Sequence, residues 1–252
     1  MTRSSTILAT LLALTVAMPA RAQAASRPVQ PPAVGRPTDP AVASIAADVR
    51  AGLVEMARAD RDLLPSDGES TLPPAEDEAL DRRARARVRV ATGLESLLAA
   101  GAPGRAAIRT LATDWPDADL VRRAEIRAAF RAGDAADALA STTRMAVSAP
   151  RDTQLLGWRA DALESLGRAG EALRARQARY ELAPDDAEGW RALLAAHAAA
   201  GTLPRLRESL ARMRLLYPTS RAVREHEIEL LRRLGRADEA ARLTADTTGV
   251  RP

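Results

Sequence analysis

Two histidines are the side chains of this 252-residue chain best suited to acid–base or metal chemistry, because the chain contains no cysteine. His197 and His226 form neither an H-x3-H nor an HExxH zinc pattern. His197 falls among leucines at helical spacing, which predicts a buried and hydrogen-bonded imidazole. His226 lies in the charged stretch 224–227, where we expect it to be solvated. The histidines therefore predict no metal site, no cofactor and no catalytic base.

Paired carboxylates are the second candidate for catalysis, because two of them flank the scissile bond in most glycosidases. Asp185-Asp186 is such a pair, but it follows a proline and precedes a stretch of helical pattern. Aspartates at that place are favoured as helix N-caps, so capping explains the pair better. The sequence also lacks a G-x-S-x-G nucleophile motif and a glycine-rich phosphate loop. We therefore do not expect an enzyme.

Prolines and glycines divide much of the chain into segments of helix length. Each series recurs every 34 residues, and the two series are offset by half that distance. A glycine can end a helix in the left-handed conformation, and a proline cannot continue a helix interior. Each period thus predicts helix, glycine turn, helix and proline turn, with Asp, Thr or Ser after each proline capping the next helix. The prolines are Pro116, Pro150, Pro184 and Pro218, and the glycines are Gly133, Gly167, Gly201 and Gly235.

This pattern resembles the tetratricopeptide repeat family, whose motif is W-x2-L-G-x2-Y, then A-x3-F, then P over 34 residues. Arg159 and Arg176 depart from it, because they stand where the family has apolar residues. The resemblance covers about residues 85 to 246 and implies an all-α fold, an α-solenoid of stacked helix-turn-helix repeats. The period 187–220 carries Trp190-x2-Leu193, Leu206-x3-Leu210 and Pro218, with Leu194 and His197 in place of the family's Gly and Tyr.

The repeat domain is predicted over residues 85–252, with about five repeats. The first repeat is degenerate and places Val88 and Ala91 in its core. The last has no evident sealing helix, so we expect an open apolar end at Leu230, Leu231, Leu234 and Leu243. Residues 41–84 form a helical segment before the repeats. Its stripe of Ile45, Val49, Leu53 and Met56 either caps the first repeat or docks on a partner or a second copy.

The N-terminus reads as a cleavable signal peptide over residues 1–22. A basic start at Arg3 precedes an apolar run and the small-x-small site Ala20-Arg21-Ala22. The alternative, a membrane anchor, needs about 20 apolar residues, and the run from Ile7 to Ala20 is shorter. A proline-rich linker follows over residues 23–40. We therefore expect export to the periplasm, with no membrane span after cleavage.

The charge of the chain argues against nucleic-acid binding. Its pI is about 10.6, but all 37 basic residues are arginines, which raise the pI without a large net charge. The formal net charge is +4, and loss of residues 1–22 removes two arginines and no acid. A nucleic-acid-binding domain needs a one-sided basic excess, which this composition does not supply.

The resemblance implies a concave groove lined by the first helix of each repeat, where a peptide would lie. Along the chain the residues in groove register change from basic to acidic, and the alternative is that they form a solvated surface. The expected function is a periplasmic scaffold or adaptor that binds a protein or peptide. The alternative is a permanently packed subunit of a cell-envelope assembly or export machine. The candidate contact residues are Arg123, Arg127, Phe130, Asp161, Glu164, Arg191 and Glu229.

Overall fold

The computed structural model describes residues 39–63 and 73–248, and these residues contain only α-helices as regular structure. The predicted signal peptide and almost all of the predicted proline-rich linker lie outside the described residues. None of the described helices is both long and apolar enough to cross a membrane. The helices are α1 (Pro40–Asp62), α2 (Pro73–Ala99), α3 (Gly101–Asp114), α4 (Asp119–Arg131), α5 (Ala135–Ala146), α6 (Thr153–Ser165), α7 (Ala169–Leu182), α8 (Ala187–Ala199), α9 (Leu203–Leu216), α10 (Arg221–Arg233) and α11 (Ala237–Thr248).

Each helix packs against the next one along the chain, and the result is the α-solenoid that the sequence predicts. The starts of α4, α6, α8 and α10 are 34 residues apart, as the prolines are. The predicted all-helical fold is therefore confirmed. Membership of the tetratricopeptide family remains a proposal.

Glycines in the left-handed region end the even-numbered helices. Gly167 has a φ of 73°, and the amide of Arg168 donates back to the carbonyl of Leu163 over 2.8 Å. This bond satisfies a carbonyl that the helix end leaves without an intrahelical partner. The same backbone bond recurs after Gly133, Gly201 and Gly235, whose φ angles are 71°, 65° and 73°.

Side chains cap three of the four helices that follow a proline turn. Asp152 and Asp186 accept backbone amides at the starts of α6 and α8, and Ser220 does so for α10. Asp117 was expected to cap α4, but that prediction is wrong. As in the other proline turns, the cap position is the second residue after the proline, and here that residue is Ala118, which has no acceptor side chain.

The helix α1 seals one end of the array by packing on α2 and α3. Val49 and Leu53 of its stripe are buried, and Ile45 and Met56 are half-buried against the same cluster. Two glycines let the helices approach closely: a Cβ at Gly52 would lie 2.7 Å from Val90, and one at Gly93 would lie 2.5 Å from Val49. Substituting either glycine would therefore force α1 and α2 apart.

Two predictions about the ends of the repeat domain are wrong. Val88 is 65% exposed, because α2 turns Val90 and Leu94 toward α1 instead. At the other end, Leu230 and Leu231 are buried. Leu234 is half-buried against the apolar cluster that contains Leu230, and Leu243 is half-buried against the cluster that contains Leu231. The large apolar residues that are most exposed lie elsewhere among the described residues: Val147 after α5, and Leu215 and Leu216 at the end of α9.

Replacing Gly167 and Gly170 by alanine, one at a time, is expected to shift stability in opposite directions. Neither added Cβ meets another atom within 4 Å, so only backbone conformation distinguishes the two sites. Gly167→Ala places a Cβ in a left-handed turn and should destabilise the chain by about 1 kcal/mol. Gly170→Ala lies within α7 and should stabilise it by about 0.5 kcal/mol. Chemical denaturation monitored by circular dichroism measures both, and equal shifts would contradict the assignment of the turn.

Candidate functional site

The surfaces of α2, α4 and α6 lie side by side, and we call this surface the even-helix face. Arg127 of α4 forms a forked ion pair with Glu95 of α2, in which Nη2 donates to Oε2 over 3.0 Å. Arg131 approaches the same carboxylate at 3.9 Å. The hydrogen bond from Arg127 lowers the pKa of Glu95. Two of the arginines on this face thus converge on one acid.

Arg123 joins α4 to α6. Its guanidinium donates to Asp119 over 2.8 Å, to Gln154 over 2.5 Å and to Asp152. Asp152 also accepts the amides of Gln154 and Leu155 as the N-cap of α6. Burial opposes ionisation of Asp152, but the hydrogen bonds from Arg123 and the cap amides outweigh burial and lower the pKa of this carboxyl.

The same combination of an arginine and a capping aspartate occurs at two other helix starts. Arg105 of α3 donates over 2.7 Å to Asp134, the N-cap of α5. Arg179 of α7 donates over 2.8 Å to Asp186, the N-cap of α8. Gly157 leaves room for Arg179, because a Cβ there would lie 2.7 Å from the guanidinium. Each pair ties the start of one helix to a helix that precedes it in the chain.

A pocket of about 230 Å³ opens on the even-helix face between α2, α4 and α6. Its floor is apolar, with Leu94 and Ala124 buried at 3% exposure and Trp158 half-buried as one wall. The polar side chains of Glu95, Arg123, Arg127 and Gln154 surround the opening. Two of them, Arg123 and Arg127, are predicted contact residues. The lining residues are Ala91, Leu94, Glu95, Leu120, Arg123, Ala124, Arg127, Gln154 and Trp158.

The two acidic residues of α6 that we predict to contact a ligand form ion pairs with an arginine of the next helix. Asp161 and Glu164 both accept from Arg176 of α7, with 3.4 Å from Nη2 to Asp161. The Arg176 side chain is only 11% exposed, so these two carboxylates compensate its charge at a position where the repeat motif has an apolar residue. Burial raises the pKa of Asp161 despite the arginine.

The remaining predicted contacts do not share one site. Phe130 is half-buried and packs against the two apolar clusters that contain Ile126 and Ala129. Glu229 of α10 accepts from the indole Nε1 of Trp190 over 2.7 Å and from Arg233 over 3.3 Å. Arg191 on α8 is exposed and has no ion-pair partner within the part of the chain that the structure describes. The structure therefore unites Arg123 with Arg127, and Asp161 with Glu164, but not the whole set.

His226 is not solvated, contrary to the sequence prediction. It is 9% exposed, and its ring stacks on Trp190 with centroids 4.4 Å apart and planes 16° from parallel. Its Nδ1 lies 3.1 Å from the hydroxyl of Tyr180, which is itself fully buried. Burial raises the pKa of Tyr180. The charged neighbours of His226 in sequence gave no sign of this cluster, whose other members come from α7 and α8.

His197 is buried, as predicted. Its Nδ1 lies 2.9 Å from the hydroxyl of Thr202 and 3.2 Å from the carbonyl of that residue. Thr202 occupies the cap position of α9, but its side chain contacts His197 and makes no capping bond. This histidine is thus engaged in the turn between α8 and α9.

Sequence reasoning missed the pocket itself. Gln154 and Trp158 are four residues apart on α6, so they lie on the same face of that helix. That spacing could have suggested a shared surface with Arg123, but the partner helix could not be read from the sequence. Within the described ranges, no three His, Cys, Asp or Glu residues are grouped so that they could hold a metal ion. No protein-family model and no curated protein sequence matches the chain.

Acidification from pH 7.5 to 5.5 is expected to lower the free energy of unfolding. Burial lowers the pKa of His226, against the opposing charges of Glu229, Glu225 and Asp185, and burial also lowers the pKa of His197. The folded chain therefore protonates these imidazoles at lower pH than the unfolded chain, which takes up protons near pH 6.5. The stabilisation that the two neutral histidines contribute is fully present above that pH. It is lost as the pH falls toward their lower pKa values in the folded state.

Chemical denaturation at both pH values checks this expectation. His226→Phe keeps a ring against Trp190 but cannot titrate, so its unfolding free energy should change less with pH than that of the wild type. An equal pH dependence in the variant and the wild type would show that the pKa of His226 does not change on folding.

Proposed function

We propose that this protein is an exported scaffold or adaptor of the tetratricopeptide class. A signal peptide over residues 1–22 directs it to the periplasm, and the even helices line a groove that holds a protein or peptide. The repeat resemblance and the solenoid fold support this proposal. Fold by itself does not define function, so the proposal depends on the site.

The observation that carries the proposal is the pocket on the even-helix face. It combines buried apolar floor atoms at Leu94 and Ala124 with charged groups around the opening, which is the composition of a recognition surface. Arg191, exposed on α8, supplies a further cation without an internal partner among the described residues. A partner that lies along α4, α6 and α8 would contact all three features.

A separate apolar surface favours the alternative, a permanently packed subunit of a cell-envelope assembly or export machine. Leu215 and Leu216 are 84% and 70% exposed, and Tyr217 beside them is 39% exposed. Adjacent large apolar side chains that remain exposed commonly mark a protein interface. This surface lies at the end of α9 and includes none of the residues that line the pocket.

Affinity capture distinguishes the two functions. The protein, expressed from its full-length gene, purified and immobilised, is exposed to a detergent-solubilised envelope extract of the organism that encodes it. Two double variants serve as each other's controls: Arg131→Ala with Arg191→Ala, and Leu215→Ser with Leu216→Ser. Retained proteins are quantified by mass spectrometry before and after a wash with 1 M salt.

The scaffold function predicts a protein that the leucine variant retains, that the arginine variant loses and that high salt releases, because exposed ion pairs are screened by salt. The alternative predicts the opposite: retention by the arginine variant, resistance to salt and loss from the leucine variant. If neither variant differs from the wild type in the proteins it retains, both assignments of the interface are wrong.

A further inference from the structure

The size of the pocket between α2, α4 and α6 restricts what can occupy it. At about 230 Å³ it is smaller than the cavities of roughly 300 to 1,000 Å³ that hold small-molecule ligands. It is still several times the volume of about 30 Å³ that a water molecule occupies in the liquid. A single bulky side chain therefore suits it better than a cofactor or a drug-sized metabolite.

The walls of the pocket are apolar and held in place. Trp158 packs against the buried cluster of Ile126, Met145 and Leu155, so its indole is fixed before any ligand arrives. Leu94 belongs to the largest core cluster, and Ala124 packs beside it. Rigid aromatic walls bind apolar anchors well, because little conformational entropy is lost when the anchor enters.

The charges around the opening are unevenly compensated. On the α6 side, Asp152 is balanced by Arg123 and by the N-terminus of its own helix, where a negative charge is favoured. On the α2 side, Glu95 is the one carboxylate among the described residues that pairs with Arg127 and Arg131. Arg131 keeps half of its side-chain surface exposed and reaches this acid only at 3.9 Å. Arg131 lines the neighbouring pocket between α2, α3 and α4, so this second guanidinium lies beside the opening, next to Glu95, and exceeds what that one carboxylate neutralises.

We infer that the pocket receives one bulky apolar side chain of an extended peptide segment, and that an acidic residue next to it on the same segment pairs with Arg131. This inference rests on the proposed peptide-binding function and specifies its ligand. A guanidinium that remains half-exposed can form a forked pair with an incoming carboxylate without leaving a buried charge behind. The apolar anchor supplies affinity, and the carboxylate selects segments of the right charge.

A phage-displayed library of random 12-residue peptides tests the inference on the purified protein. Selection should enrich Leu, Met or an aromatic residue within two positions of Asp or Glu. A fluorescein-labelled peptide of the consensus sequence is then titrated by fluorescence polarisation. Replacing its apolar anchor by alanine should weaken binding at least about tenfold.

Matched variants locate the binding site. Ala91→Met extends a side chain into the pocket and should weaken the consensus peptide at least about tenfold. Ala84→Met, on the same helix but away from the pocket, should leave binding unchanged. Arg131→Gln should weaken binding several-fold and reduce its salt dependence. Thermal melts confirm that each variant is folded before it is compared.

Two results would overturn the inference. Consensus peptides without an apolar anchor, or with equal affinity for Ala91→Met and the wild type, would place peptide binding elsewhere on the protein and leave the scaffold function standing. No enrichment over an empty support would reject a peptide-binding pocket. In that case affinity capture decides the scaffold function separately, because it detects partners that bind as folded surfaces.

Discussion

Several junctions of this solenoid depend on a capping aspartate that an arginine from a preceding helix also holds. Asp134, Asp152 and Asp186 each accept backbone amides at the start of a helix and a guanidinium from elsewhere. The capping bonds fix where the helix begins, and the guanidinium fixes that start against its neighbour. An aspartate that caps one helix therefore also helps to fix how that helix packs against its neighbour.

Because of this arrangement, two arginines on the even-helix face have a structural role. Arg123 has three acceptors within the protein, so it is an internal tie between α4 and α6. Arg127 is held by Glu95 in the same way. Exposed ion pairs contribute little to stability, but these partly buried, forked and capping-linked pairs have the geometry that contributes more. What the face offers to a ligand is the apolar pocket between the ties and the cation at its edge.

The sequence predicted the helices well because their ends depend on local chemistry. A glycine with positive φ, a proline turn and an aspartate cap act within a few residues, so their spacing located most of the turns. The pocket and the His226 cluster depend on pairs far apart in the chain, such as Trp190 with Glu229. Neither periodicity nor composition carries that information. Val88 shows the same limit, because its exposure depends on where α1 packs on α2.

Arg176 and Arg179 show how the solenoid accommodates largely buried charge, in the case of Arg176 at a position where the repeat motif has an apolar side chain. Each is less than one-fifth exposed, and each lies against carboxylates from neighbouring turns. Removing one partner of such a group leaves the other partly buried without compensation, which costs more than an exposed pair does. In the middle of the array, such paired charges therefore accompany small apolar clusters, whereas the two larger apolar clusters lie toward its ends.

The tie between Arg123 and Asp152 is tested most directly by a double-mutant cycle on the free energy of unfolding. Arg123→Ala removes the guanidinium, and Asp152→Asn removes the charge while keeping a side-chain oxygen for the cap. If the arginine holds the capping aspartate, the two changes should be non-additive, with a coupling of about 1 kcal/mol. Additivity within about 0.3 kcal/mol would show that Arg123 is not committed to the fold and is free to serve a ligand.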